Sequence, residues 1–169
     1  AEHDELAQSI LISPDENLLK KVEKVMQDKL NNQERKNIIE SSLNNFGLMI
    51  KVKDIENAIE ISNDIAPEHL QLSIKNSNKY LDKIENAGAI FLGEYTPEVF
   101  GDYCAGPNHV LPTNGSAKYA SPLGVYDFLK RTSMMRISKS HSKELAEIAS
   151  QLADCEGLNS HSNSAKLRK

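Results

Sequence analysis

Four short apolar runs, "QSILIS" (8–13), "FGLMIKV" (46–52), "HLQLSI" (69–74) and "AIFLG" (89–93), alternate with segments whose apolar residues recur every three or four positions. Runs of that length read as buried strands, and the segments between them read as amphipathic helices. A strand followed by a helix and then another strand is the pattern of parallel pairing, because parallel neighbours need a long crossover connection. The chain is therefore predicted to be α/β with a mostly parallel sheet.

The local signals give this pattern its boundaries. "SPDE" offers Ser13 as N-cap, Pro14 at the first helical position and Glu16 behind it, and Leu18, Val22, Val25 and Met26 continue the helix to about Leu30. A second helix is expected over 32–43, with Ile38, Ile39 and Leu43 inward. Ile55, Ala58, Ile59 and Ile61 mark a third, which must stop before Pro67. "NSNKYLDKIENAG" reads as a fourth, with Tyr80, Leu81 and Ile84 inward and Gly88 closing it. Periodicity then stops from 93 to 121, a stretch long enough to be functional. Beyond it come a helical piece (123–130), a strand-like "SMMRIS" (133–138), an amphipathic helix (140–155) with a Leu145, Ile148, Ala149, Leu152 stripe, and a short last helix. The expected architecture is an incomplete Rossmann-like layer over 1–124 and a mainly helical arm over 125–169. The arm is too small to bury a core alone, so it must pack on the first domain or on a second copy.

Composition narrows the function. The net charge of −4, with acids and bases interspersed, argues against a nucleic-acid surface. No window approaches about 18 consecutive apolar residues, so no membrane helix is expected. The chain opens "AEHDELAQ", without a leader pattern, and reads as part of something longer. Cys104 and Cys155 stand outside any CxxC pattern and read as reduced thiols, which places the protein in the cytoplasm.

Candidate chemistry concentrates at two corners. In "DIAPEHLQLS", Glu68 and His69 sit side by side at the mouth of a strand, where a carboxylate and an imidazole can divide acid and base duties. Neighbours on an extended chain point to opposite faces, so a joint role needs a turn, and Pro67 makes one plausible. In "GDYCAGPNHVLPT", Asp102 and His109 lie in a Gly- and Pro-rich loop. Asp102, His109, His161 and His3 together offer nitrogen and oxygen ligands suited to Zn²⁺, although their spacing fits no known finger or HExxH pattern. Each of these histidines taken alone reads as a surface residue sooner than a functional one, and His141, in a helical first turn, most clearly so. No GxGxxG fingerprint for a dinucleotide is present.

Taken together, "AEHD", "APEHLQL", "AGAIFLGEYTPEVFGDYCAGPNHVLPT", "SPLGVYDFLKR" and "GLNSHSNSAKLR" resemble the C-terminal portion of histidinol dehydrogenases. The resemblance implies an NAD-dependent, zinc-dependent homodimer that oxidises L-histidinol to L-histidine through the aldehyde, with an active site shared between subunits. It implies that Glu68 activates water in the second oxidation and that His69 takes the hydroxyl proton in the first. It matches His3, Asp102 and His161 to zinc ligands, while the family's glutamine ligand falls ahead of Ala1. It adds His109 and Glu156 to the substrate contacts made by Glu68, His3, Asp102 and His161, with Glu156 and His161 supplied by the partner subunit. The family's nucleotide-binding portion has no counterpart here, so these residues alone are expected to show little activity. A reading of another class stays open beside it: a non-catalytic α/β module for metal binding, ligand binding or dimerisation.

Overall fold

Each of the four apolar runs becomes a strand in the computed structural model, which describes residues 1–168. They are β1 (Ser9–Ser13), β2 (Gly47–Lys51), β3 (His69–Leu72) and β4 (Ala89–Leu92). Pairing is parallel throughout, in two separate two-stranded sheets, β1 with β2 and β3 with β4. The chain divides into two units, residues 1–127 and residues from Phe128 onward, and all four strands belong to the first.

Helices α1 (Glu16–Leu30) and α2 (Lys36–Phe46) make the crossover from β1 to β2, and α3 (Ile55–Ile65) lies in the connection from β2 to β3, between the two sheets. The cap of α1 differs from expectation. Asp15, not Ser13, is the N-cap and accepts hydrogen bonds from the amides of Asn17 and Leu18. Ser13 is the last residue of β1, and its hydroxyl accepts from the amide of Asp15 instead. Helix α3 is capped by Asp54, and Ile59 and Ser62 are its buried positions.

The exit from α3 is strained. Ala66 is fully buried and adopts a left-handed conformation (φ 51°, ψ 63°), which costs a residue with a Cβ about 1–3 kcal/mol. That reversal delivers Pro67, Glu68 and His69 into β3. The returning segment is held by Asn63 of α3. Its carboxamide oxygen accepts from the amides of Glu85 (2.9 Å) and Asn86 (3.3 Å), and its Nδ2 donates to the carbonyl of Lys83 (2.8 Å).

Three expectations are corrected here. The segment around Tyr80 is a 3-10 helix over Ser77–Lys83, and Gly88 does not close a helix. Its amide donates to the carbonyl of Pro67, and a Cβ there would stand 2.5 Å from the carbonyl oxygen of Glu68. Gly88 thus permits the close approach that starts the β3–β4 ladder. The aperiodic stretch after β4 contains a short helix, α4 (Glu98–Tyr103).

In the second unit, "SMMRIS" forms no strand, and Met134 and Met135 are exposed. Two methionines without a neighbouring strand have no ladder to join. Helices α5 (Lys139–Cys155) and α6 (Asn159–Lys166) pack through small residues, with Ala146, Ser150, Ala153 and Ser162 buried. Small side chains let the two backbones approach and leave much of the apolar stripe accessible: Leu145, Ile148 and Leu152 are 44%, 50% and 62% exposed. Among the described residues no helix is long and apolar enough to cross a membrane. Both cysteines are exposed and free.

Replacing Asn63 by Ala removes three hydrogen bonds at once, one of them to the part-buried amide of Asn86. Urea denaturation is expected to show a loss of about 1–3 kcal/mol, with Asn63→Asp, which keeps the acceptor, losing less.

Candidate active site

The β3–β4 sheet and α4 bring an imidazole and two carboxylates together. His69 opens β3, opposite Ala89 in register. Glu98 and Asp102 stand one turn apart on α4, so both project from one face. His69 Nε2 lies 3.5 Å from Asp102 Oδ1 and 3.7 Å from Glu98 Oε1. These distances are too long for direct hydrogen bonds but short enough for ion pairing when the ring is protonated. Nε2 is buried and has no hydrogen-bond partner in the protein. Phe91 of β4 supports the ring from the side, with centroids 5.9 Å apart and planes tilted by 37°.

The electrostatics of this cluster favour a proton or a cation. Burial raises the pKa of Glu98 above its ordinary value, and Asp102 raises it further through a shared hydrogen bond and like charge. His69 and His3 oppose the rise, which also places His3 near enough to Glu98 for its charge to act there. The donor atoms of His69, Glu98 and Asp102 all lie within 4.8 Å of one another. Nitrogen with carboxylate oxygen is a donor set suited to a divalent ion such as Zn²⁺. This trio fits a divalent ion, and of the ligands the resemblance implies (His3, Asp102 and His161) Asp102 alone is among it.

The positions singled out in the sequence fall unevenly around this cluster. His69 and Asp102 are in it, and His3 borders it. Glu68 is half-buried directly beside His69, with its carbonyl accepting from the amide of Ala89. His109 is exposed in the loop after α4. Glu156 is the exposed C-cap of α5, and His161 lines a groove between α5 and α6 with Leu145, Ala149 and Ala165. These last two belong to the second unit. Glu98 was not foreseen from the sequence. The available signal was its spacing from Asp102, which becomes meaningful only if "PEVFGDY" is read as helical.

Short parallel strands carrying an imidazole–carboxylate cluster define an α/β protein equipped for proton transfer or metal binding. The family model described as histidinol dehydrogenase matches residues 1–169. The chain belongs to the histidinol dehydrogenase family, whose members are oxidoreductases. It is 53% identical over 168 residues to the histidinol dehydrogenase of Ralstonia nicotianae, covering 99% of this chain and 38% of that one. It is 54% identical over 168 residues to that of Dechloromonas aromatica, covering 99% and 39% respectively. The crystal structure of histidinol dehydrogenase from Elizabethkingia anophelis matches with a TM-score of 0.92 and 36% identity, over 99% of this chain and 39% of that one. The chain thus spans less than half the length of the relatives it matches.

The raised pKa of Glu98 makes a signed prediction for the metal-free protein. The fold disfavours the ionised form, so its penalty is present in full above the raised pKa and disappears as pH falls through it toward 4.5. Glu98→Gln is expected to raise the melting temperature slightly at neutral pH. The gain should vanish below pH 4.5 when melting is followed by circular dichroism.

Proposed function

We propose that this chain supplies the proton-handling half of an enzyme that oxidises L-histidinol to L-histidine through the aldehyde, with NAD⁺ and Zn²⁺. The observation that carries this reading is the His69 ring held against Glu98 and Asp102 immediately after Glu68, in a chain of this family. The reading places the protein in the cytoplasm, at the last step of histidine biosynthesis. It belongs to a protein of full family length, since this chain covers 38% of its Ralstonia relative. By themselves these residues are expected to form little NADH.

NAD⁺, when bound, accepts hydride in each of two oxidations, and Zn²⁺, when bound, anchors the amine and imidazole of the substrate. His69 takes the hydroxyl proton as hydride leaves the alcohol carbon, which leaves an aldehyde. Its positive charge then faces Glu98 and Asp102, which lowers the cost of holding that proton in a half-buried site. In the second oxidation Glu68 removes a proton from water as it adds to the aldehyde. The hydrate loses hydride and becomes the acid. The adjacency of Glu68 and His69 thus serves one carbon through two oxidations with different proton requirements.

His3, Asp102 and His161 would hold the zinc, with carboxylate and imidazole donors. The substrate contacts are Glu68, His3, Asp102, His109, Glu156 and His161. Glu156 and His161 would come from a second subunit, a reading supported by the exposed Leu145, Ile148 and Leu152 of α5. An apolar stripe on a small helical unit gains most from burial against another copy.

The test is substitution in the full-length protein. His69→Asn and Glu68→Gln should each lower kcat by about a hundredfold or more, in line with the loss of a general base. Turnover within a few-fold of wild type for either would remove that residue from the chemistry. For the partner, sedimentation should show a dimer at tens of micromolar. A strict monomer would count against a shared site.

A further inference from the structure

Phe91 and Gly101 occupy a position that the proton chemistry alone does not explain. Phe91 is buried in β4, with the His69 ring centroid 5.9 Å from its own and its Cε1–Cζ edge toward Gly101 of α4. Gly101 sits on α4 between Glu98 and Asp102, the two residues whose carboxylates approach His69. A Cβ at position 101 would stand 2.7 Å from Phe91 Cε1 and 2.8 Å from Cζ. Carbon atoms at rest keep about 3.5–4.0 Å, so no side chain larger than hydrogen fits there without movement. Phe91 has little freedom to yield, because it is 7% exposed and the imidazole is a ring neighbour with its centroid 5.9 Å away.

We infer that Phe91 and Gly101 are positioning residues that together set the distance between the His69 imidazole and the carboxylates of Glu98 and Asp102. The ring is a rigid spacer, with the imidazole as its tilted neighbour at 5.9 Å. The bare backbone of α4 at Gly101 rests against its edge, and one helical turn carries both carboxylates. Any added volume at position 101 must lift α4 away or rotate Phe91 into His69. Both movements change the 3.5 Å and 3.7 Å separations. The sheet contributes the other half of the geometry, since His69 and Phe91 lie on neighbouring parallel strands in fixed register. The inference rests on the dehydrogenase reading of His69.

The experiment compares Gly101→Ala, Phe91→Leu, the double variant and His69→Asn in the full-length zinc enzyme, with kcat and KM for histidinol and zinc content measured for each. Misplacing a reacting group by about 1 Å can cost about a hundredfold in rate. Gly101→Ala is therefore expected to lose about that much in kcat per bound zinc, with KM changed less than about threefold. Phe91→Leu is expected to lose about tenfold in kcat. Adding Phe91→Leu to Gly101→Ala should restore kcat to the level of Phe91→Leu alone, because the smaller side chain accepts the new methyl group. A merely structural role would not give that recovery in kcat at constant zinc content. Gly101→Ala with kcat within about twofold of wild type, or a double variant no faster than Gly101→Ala, would overturn the inference. Should Gly101→Ala fail to fold, Phe91→Leu decides alone: wild-type kcat overturns it, and a kcat loss at unchanged KM supports it. If His69→Asn itself turns over normally, the reading of His69 has failed. If it collapses while Gly101→Ala does not, only the spacer is wrong.

Discussion

The parallel ladder between β3 and β4 is the constraint on which the site depends. It begins where the amides of Gly88 and Ala89 donate to the carbonyls of Pro67 and Glu68, at 2.9 and 2.8 Å. Those bonds fix the main chain of the two residues proposed to move protons. They form only because position 88 lacks a side chain, since a Cβ would meet the Glu68 carbonyl oxygen at 2.5 Å. The strain at Ala66 is held from both sides, by the end of α3 before it and the ladder after it. An unfavourable backbone geometry persists when its surroundings over-determine it, and such strain clusters where orientation matters.

The second dependence is electrostatic. Two carboxylates and an imidazole in one half-buried corner do not all prefer their charged forms. Burial and Asp102 push Glu98 toward its protonated form, whereas His69 and His3 pull it back. A metal ion or a protonated imidazole relieves the same repulsion. One corner can therefore suit either a metal ion or a transferred proton, and Asp102 faces both possibilities.

The second unit follows a different rule. Its helices meet through alanine and serine, which permits close backbone approach and leaves the leucines of α5 outside. Helical periodicity identifies a stripe but not which side of the helix has a partner. The Leu145, Ile148, Leu152 stripe is therefore legible as a feature, while the surface it faces is not. The same limit explains α4. Its six residues show too little periodicity to stand out from a Gly- and Pro-rich loop, so Glu98 was invisible until the helix placed it beside Asp102.

The sequence by itself determined the α/β class, the parallel pairing of four short strands, and the family. Strand and helix periodicities are local, and the blocks around "PEHL" and "GDY" are specific. It also singled out Glu68, His69 and Asp102, because proton-handling side chains at chain corners are visible as residue types. Tertiary structure decided what those residues face. The capture of Asp102 and Glu98 by His69, the role of Gly88 as a ladder start and the wedge of Phe91 against Gly101 all join residues distant in sequence. Such contacts depend on how strands are aligned and how closely backbones can approach, which no local pattern encodes.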